Sequence, residues 1–369
     1  MYSQENSPTD SFCKFNLNIN LKAPLPEEDS LYITGSLPEL GNWDPSGRKL
    51  VISENGTCSV ELAADDGSIV ECKITRGTWK TQGIYDADVV PPDNLVIQVC
   101  NNHDVQVDIV GWLDQQTIDS DPVVGKIIES EIFPCHGLVY KRPVQVWLPE
   151  SYDADGEPCA VIYMHDGQNL FEPASSFAGV DWKVDEAISQ LIANKEIRPC
   201  IVVGVPNSPD RMKELNMFTK QGKAYAEFIV NEVKPWIEKN FNVSKLVEDN
   251  ALMGSSMGGL ISFQMLYAYN DSFAQAACLS TAFAKTNGKI FNQISQNSFK
   301  PLNVRLYLDA GEYEQPIARS YFDMMKLLKE KGFIEGHNLM GYYEAKATHC
   351  EARWAARLHL PLKFLLAKK

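Results

Sequence analysis

The sequence predicts an α/β fold, a doubly wound and mainly parallel sheet, preceded by a small all-β sandwich. Two patterns predict it. From Phe12 to about Gly111, short apolar runs are separated by turn residues, as in sandwiches. Further on, short apolar runs alternate with long amphipathic stretches, the signature of strands joined by covering helices. At 369 residues the chain is long enough for two cores. The expected division is a front domain at 1–113, a polar connector at 114–125 and a larger domain at 126–369.

In the front domain the expected strands are Leu31–Thr34, Leu50–Ile52, Ser59–Leu62, Ile69–Ile74 and Leu95–Val99. Pro45-Ser46-Gly47, Glu54-Asn55-Gly56, Asp65-Asp66-Gly67 and Pro91-Pro92-Asp93 supply turns between them. In the larger domain the expected strands are Val144–Leu148, Ala160–Met164, Cys200–Gly204, Asn250–Met253, Ala276–Leu279 and Val304–Leu308, with Leu339–Glu344 last. Helical periodicity covers Val184–Ala193, Gly222–Lys239, Gly258–Tyr269 and Ala318–Lys331.

A net charge of -14 argues against nucleic acid and anionic membranes, because phosphate binding needs clustered Lys and Arg. No apolar run reaches the roughly 18 residues of a spanning helix. The N-terminus lacks the basic start and apolar stretch of a signal peptide. Nine scattered cysteines without a Cys-x-x-Cys pair suit reduced thiols and a cytoplasmic location.

Gly254-Ser255-Ser256-Met257-Gly258 follows an apolar run and precedes a helical pattern. This is G-x-S-x-G in the strand–turn–helix setting of a nucleophile elbow, with Ser256 as nucleophile. The turn tolerates no bulk two residues either side of the serine, hence Gly254 and Gly258. Ser255 competes out of register, but its neighbours Met253 and Met257 are too large. Chance alone supplies such a pattern about 0.1 times in a chain of this length, so the flanking elements carry much of the weight.

A base should lie on a loop beyond the last strand, and His349, in Ala347-Thr348-His349-Cys350, meets that requirement. His337 reads as solvated loop and His359 as helix packing. The acid should follow Val304–Leu308. Glu314 is the first choice, because a turn at Gly311 can bring it back over the sheet edge; Glu312 and Asp309 are the alternatives. Backbone N–H groups of Met257 and Gln168 are the candidate oxyanion donors. His165 and Asp166 have no third ligand at helical spacing, so no metal is expected, and no organic cofactor is implied.

Together these motifs resemble the esterase family of α/β-hydrolases that includes enterochelin-type siderophore esterases, feruloyl and acetylxylan esterases and mycolyl transferases. The resemblance spans roughly Ile127 to Leu365. It rests on Val146-Trp147-Leu148-Pro149, Tyr163 to Phe171, Asp181-Trp182, Arg211 with Glu214, Gly254 to Gly259, Leu306 to Gly311, and His349 with Trp354. It implies a serine carboxylic-ester hydrolase with the same nucleophile and base, favours Glu314 as acid, and casts Arg211 and Glu214 as a loop-fixing ion pair.

The front domain resembles starch-binding modules, on Leu31 to Pro45 and Lys73 to Trp79. Indoles stack on the flat faces of sugar rings, which makes Trp43 and Trp79 candidate platforms. Trp79, on a Gly turn, is expected to be exposed; Trp43 is as readily core as platform. The expected partners are a small-molecule or glycan-linked ester and a glycan on the front domain. The alternatives are an acyltransferase on the same site and a catalytically inactive hydrolase scaffold that keeps the carbohydrate-binding module.

Overall fold

Residues 12–367 are described in this computed structural model, apart from positions 42, 54, 88, 101–103, 117–121, 178 and 297–303. Asn42 of the front motif, Glu54 of one expected turn and much of the expected connector therefore lie outside the described residues. The chain divides into two compact units, Met1–Asp119 and Ser120–Lys369.

The strands of the first unit are β1 (Phe12–Leu21), β2 (Tyr32–Gly35), β3 (Arg48–Lys49), β4 (Thr57–Asp65), β5 (Ile69–Thr75), β6 (Gly83–Ile84), β7 (Leu95–Gln98), β8 (Val105–Ile109) and β9 (Gly111–Trp112). They form sheets of order β4-β1-β8, β3-β2-β5-β7 and β6-β9. In β4, Cys58, Val60, Leu62 and Ala64 are buried while Ser59 and Glu61 are exposed, the period of two that commits one face to a core. Leu17 and Ile19 from β1 and Ile33, Cys72 and Ile74 from the second sheet join that same core. The expected strand Leu50–Ile52 is displaced by two residues: Arg48–Lys49 pair with β2 instead. Leu50 is buried, but Val51 is 88% exposed, which leaves the segment with no second row to pack.

The second unit is built on one eight-stranded sheet. Its strands are β10 (Lys126–Glu129), β11 (Gln145–Leu148), β12 (Ala160–His165), β13 (Cys200–Val205), β14 (Asn250–Ser255), β15 (Gln275–Leu279), β16 (Arg305–Gly311) and β17 (Leu339–Glu344). The order is β10-β11-β13-β12-β14-β15-β16-β17. β10 and β11 are antiparallel to their neighbours, and every pairing from β13 onward is parallel. The helices are α1 (Val184–Ala193), α2 (Arg211–Glu214), α3 (Lys220–Phe228), α4 (Lys234–Asn240), α5 (Met257–Ala268), α6 (Lys289–Gln296), α7 (Ile317–Glu330), α8 (Glu351–Arg357) and α9 (His359–Leu366).

Successive residues of one strand enter different cores, which explains the continuous apolar runs. Val161 and Tyr163 pack with residues of α3, α5 and α7, while Ile162 and Met164 pack with residues of α1 and α9. Helices thus cover both faces of the sheet, and its inner strands β12 to β15 are buried along their whole length. The helix expected over Gly222–Lys239 is interrupted by a π turn at Ile229–Val233. Pro235 follows at the start of α4, and its missing N–H makes that a cheap place to break the regular ladder. Among the described residues no helix is long and apolar enough to cross a membrane.

Parallel pairing has one consequence for chemistry. The carboxyl ends of β12, β14, β15, β16 and β17 all point to the same edge, so the loops that follow them share it.

Candidate active site

The loop after β14 is the elbow. Ser256 has φ 54° and ψ −115°, a region that L residues avoid, and it caps α5. The position is over-determined from both sides. The Ser256 N–H donates to the Leu279 carbonyl at 2.9 Å, and its own carbonyl accepts from Ala282 at 3.0 Å and Leu260 at 3.1 Å. A Cβ on Gly254 would stand 2.6 Å from the backbone carbon of Gly258, so only glycine fits there. From Asn250 to Tyr267, Ser256 alone is not buried. Ser255, the rival, is the buried last residue of β14.

The loops after β16 and β17 carry the acid and base candidates. Glu314 is buried, and its Oε2 lies 3.8 Å from Nδ1 of His349, whose side chain is 20% exposed. A close backbone approach makes this meeting: a Cβ on Gly311 would be 2.5 Å from the Ala347 carbonyl, and Tyr313 N–H donates to that same oxygen. Burial raises the Glu314 carboxyl, but His349, Arg357 and the Ser280 hydroxyl outweigh it and hold the group below its ordinary value. The alternatives point elsewhere. Glu312 accepts from the Lys346 N–H, and Asp309 is forked by Arg357. His337 is exposed, as expected. His359 is exposed as well, not packed, because it begins α9 on the outer side of the turn from α8.

The loop after β12 presses against the elbow. A Cβ on Gly258 would sit 3.3 Å from the His165 Cβ and 3.4 Å from Asp166 Oδ2. Asp166 adopts the left-handed conformation, φ 58°, immediately before Gly167 and Gln168. Arg211 grips it twice, Nε to Oδ1 at 2.7 Å and Nη2 to Oδ2 at 2.8 Å, and the Asn207 amide adds a third bond. Gln168 itself takes the Asn207 N–H on its side-chain oxygen and the Ser175 hydroxyl on its carbonyl. Met257 is the first residue of α5, where backbone N–H groups lack an intrahelical acceptor. His165 Nδ1 meets the Tyr225 hydroxyl at 2.8 Å, and burial pulls its pKa down to about 4, so the ring is neutral near pH 7.

Arg211 and Glu214 do not pair with each other. Glu214 forms a buried two-bond ion pair with Arg142 at 2.7 and 2.8 Å, while Arg211 holds Asp166. They are three residues apart in the single turn of α2, and a stronger partner on each side claims each side chain.

Trp79 is 9% exposed, against the expectation of an open indole. Thr78 and Thr81 cap each other across its turn, and its ring lies 6.5 Å from that of half-buried Trp43, tilted by 33°. Trp43 itself has φ 68°. A further acidic group was not singled out from the sequence: oxygens of Asp181, Asp185 and Glu186 lie within 4.8 Å of one another. Sequence reading also passed over Ser280 and Arg357, which sit behind Glu314. Only the Arg-in-helix pattern near the chain end hinted at the second.

A mixed α/β protein with a mainly parallel core, carrying a serine on a strained elbow and, on loops of the same sheet edge, a carboxylate 3.8 Å from an imidazole, has the make-up of an enzyme. Comparison with known proteins then gives its family. The model of the family described as Putative esterase matches residues 136–365, and the chain belongs to that family, which supports an enzyme acting on esters. It is 26% identical over 228 residues to the uncharacterized protein YbbA of Bacillus subtilis (strain 168), covering 56% of this chain and 86% of that one. Over 60 residues, 16% of this chain and 3% of the other, it is 33% identical to an amylopullulanase of Thermoanaerobacterium thermosulfurigenes. Among solved structures, enterochelin esterase from Shigella flexneri superposes with a TM-score of 0.57 at 12% identity, over 91% of this chain and 87% of that one.

Proposed function

We propose that the chain is a serine carboxylic-ester hydrolase of α/β-hydrolase architecture, with Ser256 as nucleophile, His349 as general base and Glu314 as the acid that orients it. The observation that carries the reading is a buried carboxylate 3.8 Å from the His349 imidazole, on the same sheet edge as a strained elbow serine. His349 takes the Ser256 proton as Oγ attacks the ester carbonyl, and returns it to the departing alcohol. Water, deprotonated by the same imidazole, then cleaves the Oγ–acyl bond, releases the acid and restores the serine. Glu314 accepts the Nδ1–H and stabilises the imidazolium. Backbone N–H groups of Met257 and Gln168 receive the charge on the carbonyl oxygen.

A fluorophosphonate probe should label the wild type and not Ser256→Ala. The variant should also lose p-nitrophenyl acetate hydrolysis by about 10⁶-fold in kcat. Wild-type turnover in Ser256→Ala would refute the assignment.

The front unit reads as a carbohydrate-binding-like β-sandwich. Its support is the Leu31–Pro45 motif and the paired indoles of Trp43 and Trp79. Trp43, the more open of the two, is the platform, and Trp79 braces it from behind. All nine cysteines are free thiols, eight buried and Cys100 exposed, which supports a reducing cytoplasmic setting.

A further inference from the structure

Behind the acid lies a set of groups that the two-step reaction does not use. Ser280 follows β15 with φ 42°, a strained value for a serine, and is fully buried. Its hydroxyl touches three side chains. Trp354 Nε1 donates to Oγ at 2.9 Å and Arg357 Nη2 donates to it at 2.6 Å. The hydroxyl is 2.8 Å from Glu314 Oε1. A serine oxygen has two lone pairs and one proton. With both lone pairs claimed by N–H donors, the proton has one direction left, toward Glu314.

Arg357 is itself immobilised. It is buried, forks Asp309 through Nε at 2.9 Å and Nη2 at 3.0 Å, and reaches Glu344 through Nη1 at 2.8 Å. Asp309 in turn accepts the Ser280 N–H at 2.7 Å, which closes the ring of contacts back on Ser280. The same segment braces the nucleophile: Leu279 and Ala282 hydrogen-bond the Ser256 backbone on either side of Ser280.

We infer that Ser280, fixed by Arg357 and Trp354, is a positioning residue that holds one oxygen of Glu314 so that the other faces His349. Oε1 is occupied by the hydroxyl, and Oε2 is the oxygen at the imidazole. Without that hold, the carboxylate can rotate about its last torsion, and Arg357 Nη2, 3.7 Å from Oε1, competes with His349 for it. The inference rests on Glu314 being the acid of the reaction.

A double-mutant cycle on the full chain tests it, with kcat and KM read on p-nitrophenyl acetate. Glu314→Gln should lower kcat about a thousandfold or more. Ser280→Ala should lower kcat about 10- to 100-fold with KM unchanged, the range for one hydrogen bond to a charged group. In the Glu314→Gln background the Ser280 substitution should cost nothing, because the group it acts through is gone. Ser280→Gly removes the hydroxyl while accommodating the positive φ, so it serves the same cycle if the alanine variant unfolds. A Ser280 effect that persists undiminished in Glu314→Gln, or no effect in the wild-type background, overturns the inference and leaves the acid assignment standing. Full activity in Glu314→Gln overturns the acid assignment itself, and this inference with it.

Discussion

Asp166→Asn separates what the Arg211 clamp does for the fold from what it does for catalysis. Asparagine keeps the volume of aspartate and tolerates the left-handed conformation that Asp166 adopts, so the backbone can stay where it is. The charge is lost, and with it one acceptor, because the amide NH2 that replaces one oxygen cannot accept from Arg211. Removing one partner of a fully buried ion pair costs about 3–5 kcal/mol, but Arg211 is 29% exposed and solvent can share its charge, so about 2 kcal/mol is the fitting figure. In a unit of this size that lowers Tm by about 4–8 °C. The catalytic effect comes through Gly167 and Gln168, the next two residues. Losing an oxyanion donor outright costs about 10²–10³ in rate, and a loosened one should cost on the order of tenfold in kcat. Steady-state kinetics on p-nitrophenyl acetate and a thermal melt read the two effects separately. If Tm falls as stated and kcat stays within twofold of wild type, the clamp serves stability alone and Gln168 is not positioned by it.

Three further perturbations follow from the same geometry. Gly254→Ala forces a Cβ to within 2.6 Å of the Gly258 backbone, so the elbow must shift; a displacement near 1 Å costs about 10²-fold in kcat, and an unaltered kcat would contradict the tight-turn argument. Burial, reinforced by Asp185, lifts the Glu186 carboxyl to about 7, so the folded state holds a proton that the unfolded chain releases near its ordinary value of 4.5. That contribution to stability is complete below about 4.5 and fades as pH rises through about 7; urea midpoints measured from pH 4.5 to 8 should show a shallower decline in Glu186→Gln than in wild type, and parallel curves would exclude the effect. Trp43→Ala should reduce retention on insoluble starch about two- to tenfold while ester hydrolysis is unchanged, and full retention would remove Trp43 as a platform.

How much of the site was legible depended on how local each feature is. The elbow is written within five residues, because the clash between Gly254 and Gly258 is set by the turn itself. The inner strands of the parallel sheet, β12 to β15, show as largely apolar runs because both of their faces are covered. β1 was missed by the search for such runs; its signal is alternation, with Cys13, Phe15, Leu17 and Ile19 inward. The exposure of Trp79 was misjudged because a Gly turn announces a bend and says nothing of what folds over it. Arg211 and Glu214 illustrate the same limit for charge. The family resemblance implied one pair, but the partners that win, Asp166 and Arg142, are 45 and 72 residues distant along the chain.

The choice among three carboxylates after β16 shows why the proposed acid needed coordinates. Asp309 and Glu314 are both buried, and both lie near the same guanidinium. Their chemistry nevertheless diverges: burial leaves Asp309 above its ordinary value despite Arg357, whereas Glu314 is held below its own. Asp309 has its oxygens taken by two Arg357 bonds, the Ser280 N–H and the Tyr307 hydroxyl, so none is left to turn toward an imidazole. Glu314 has one oxygen secured by Ser280 and one directed at His349. A strand-end aspartate therefore becomes the anchor of the arginine, and the glutamate five residues later, freed by the turn at Gly311, keeps an oxygen for the role of acid proposed for it. The division of labour follows from which oxygens are already spoken for, a property that composition and spacing leave undetermined.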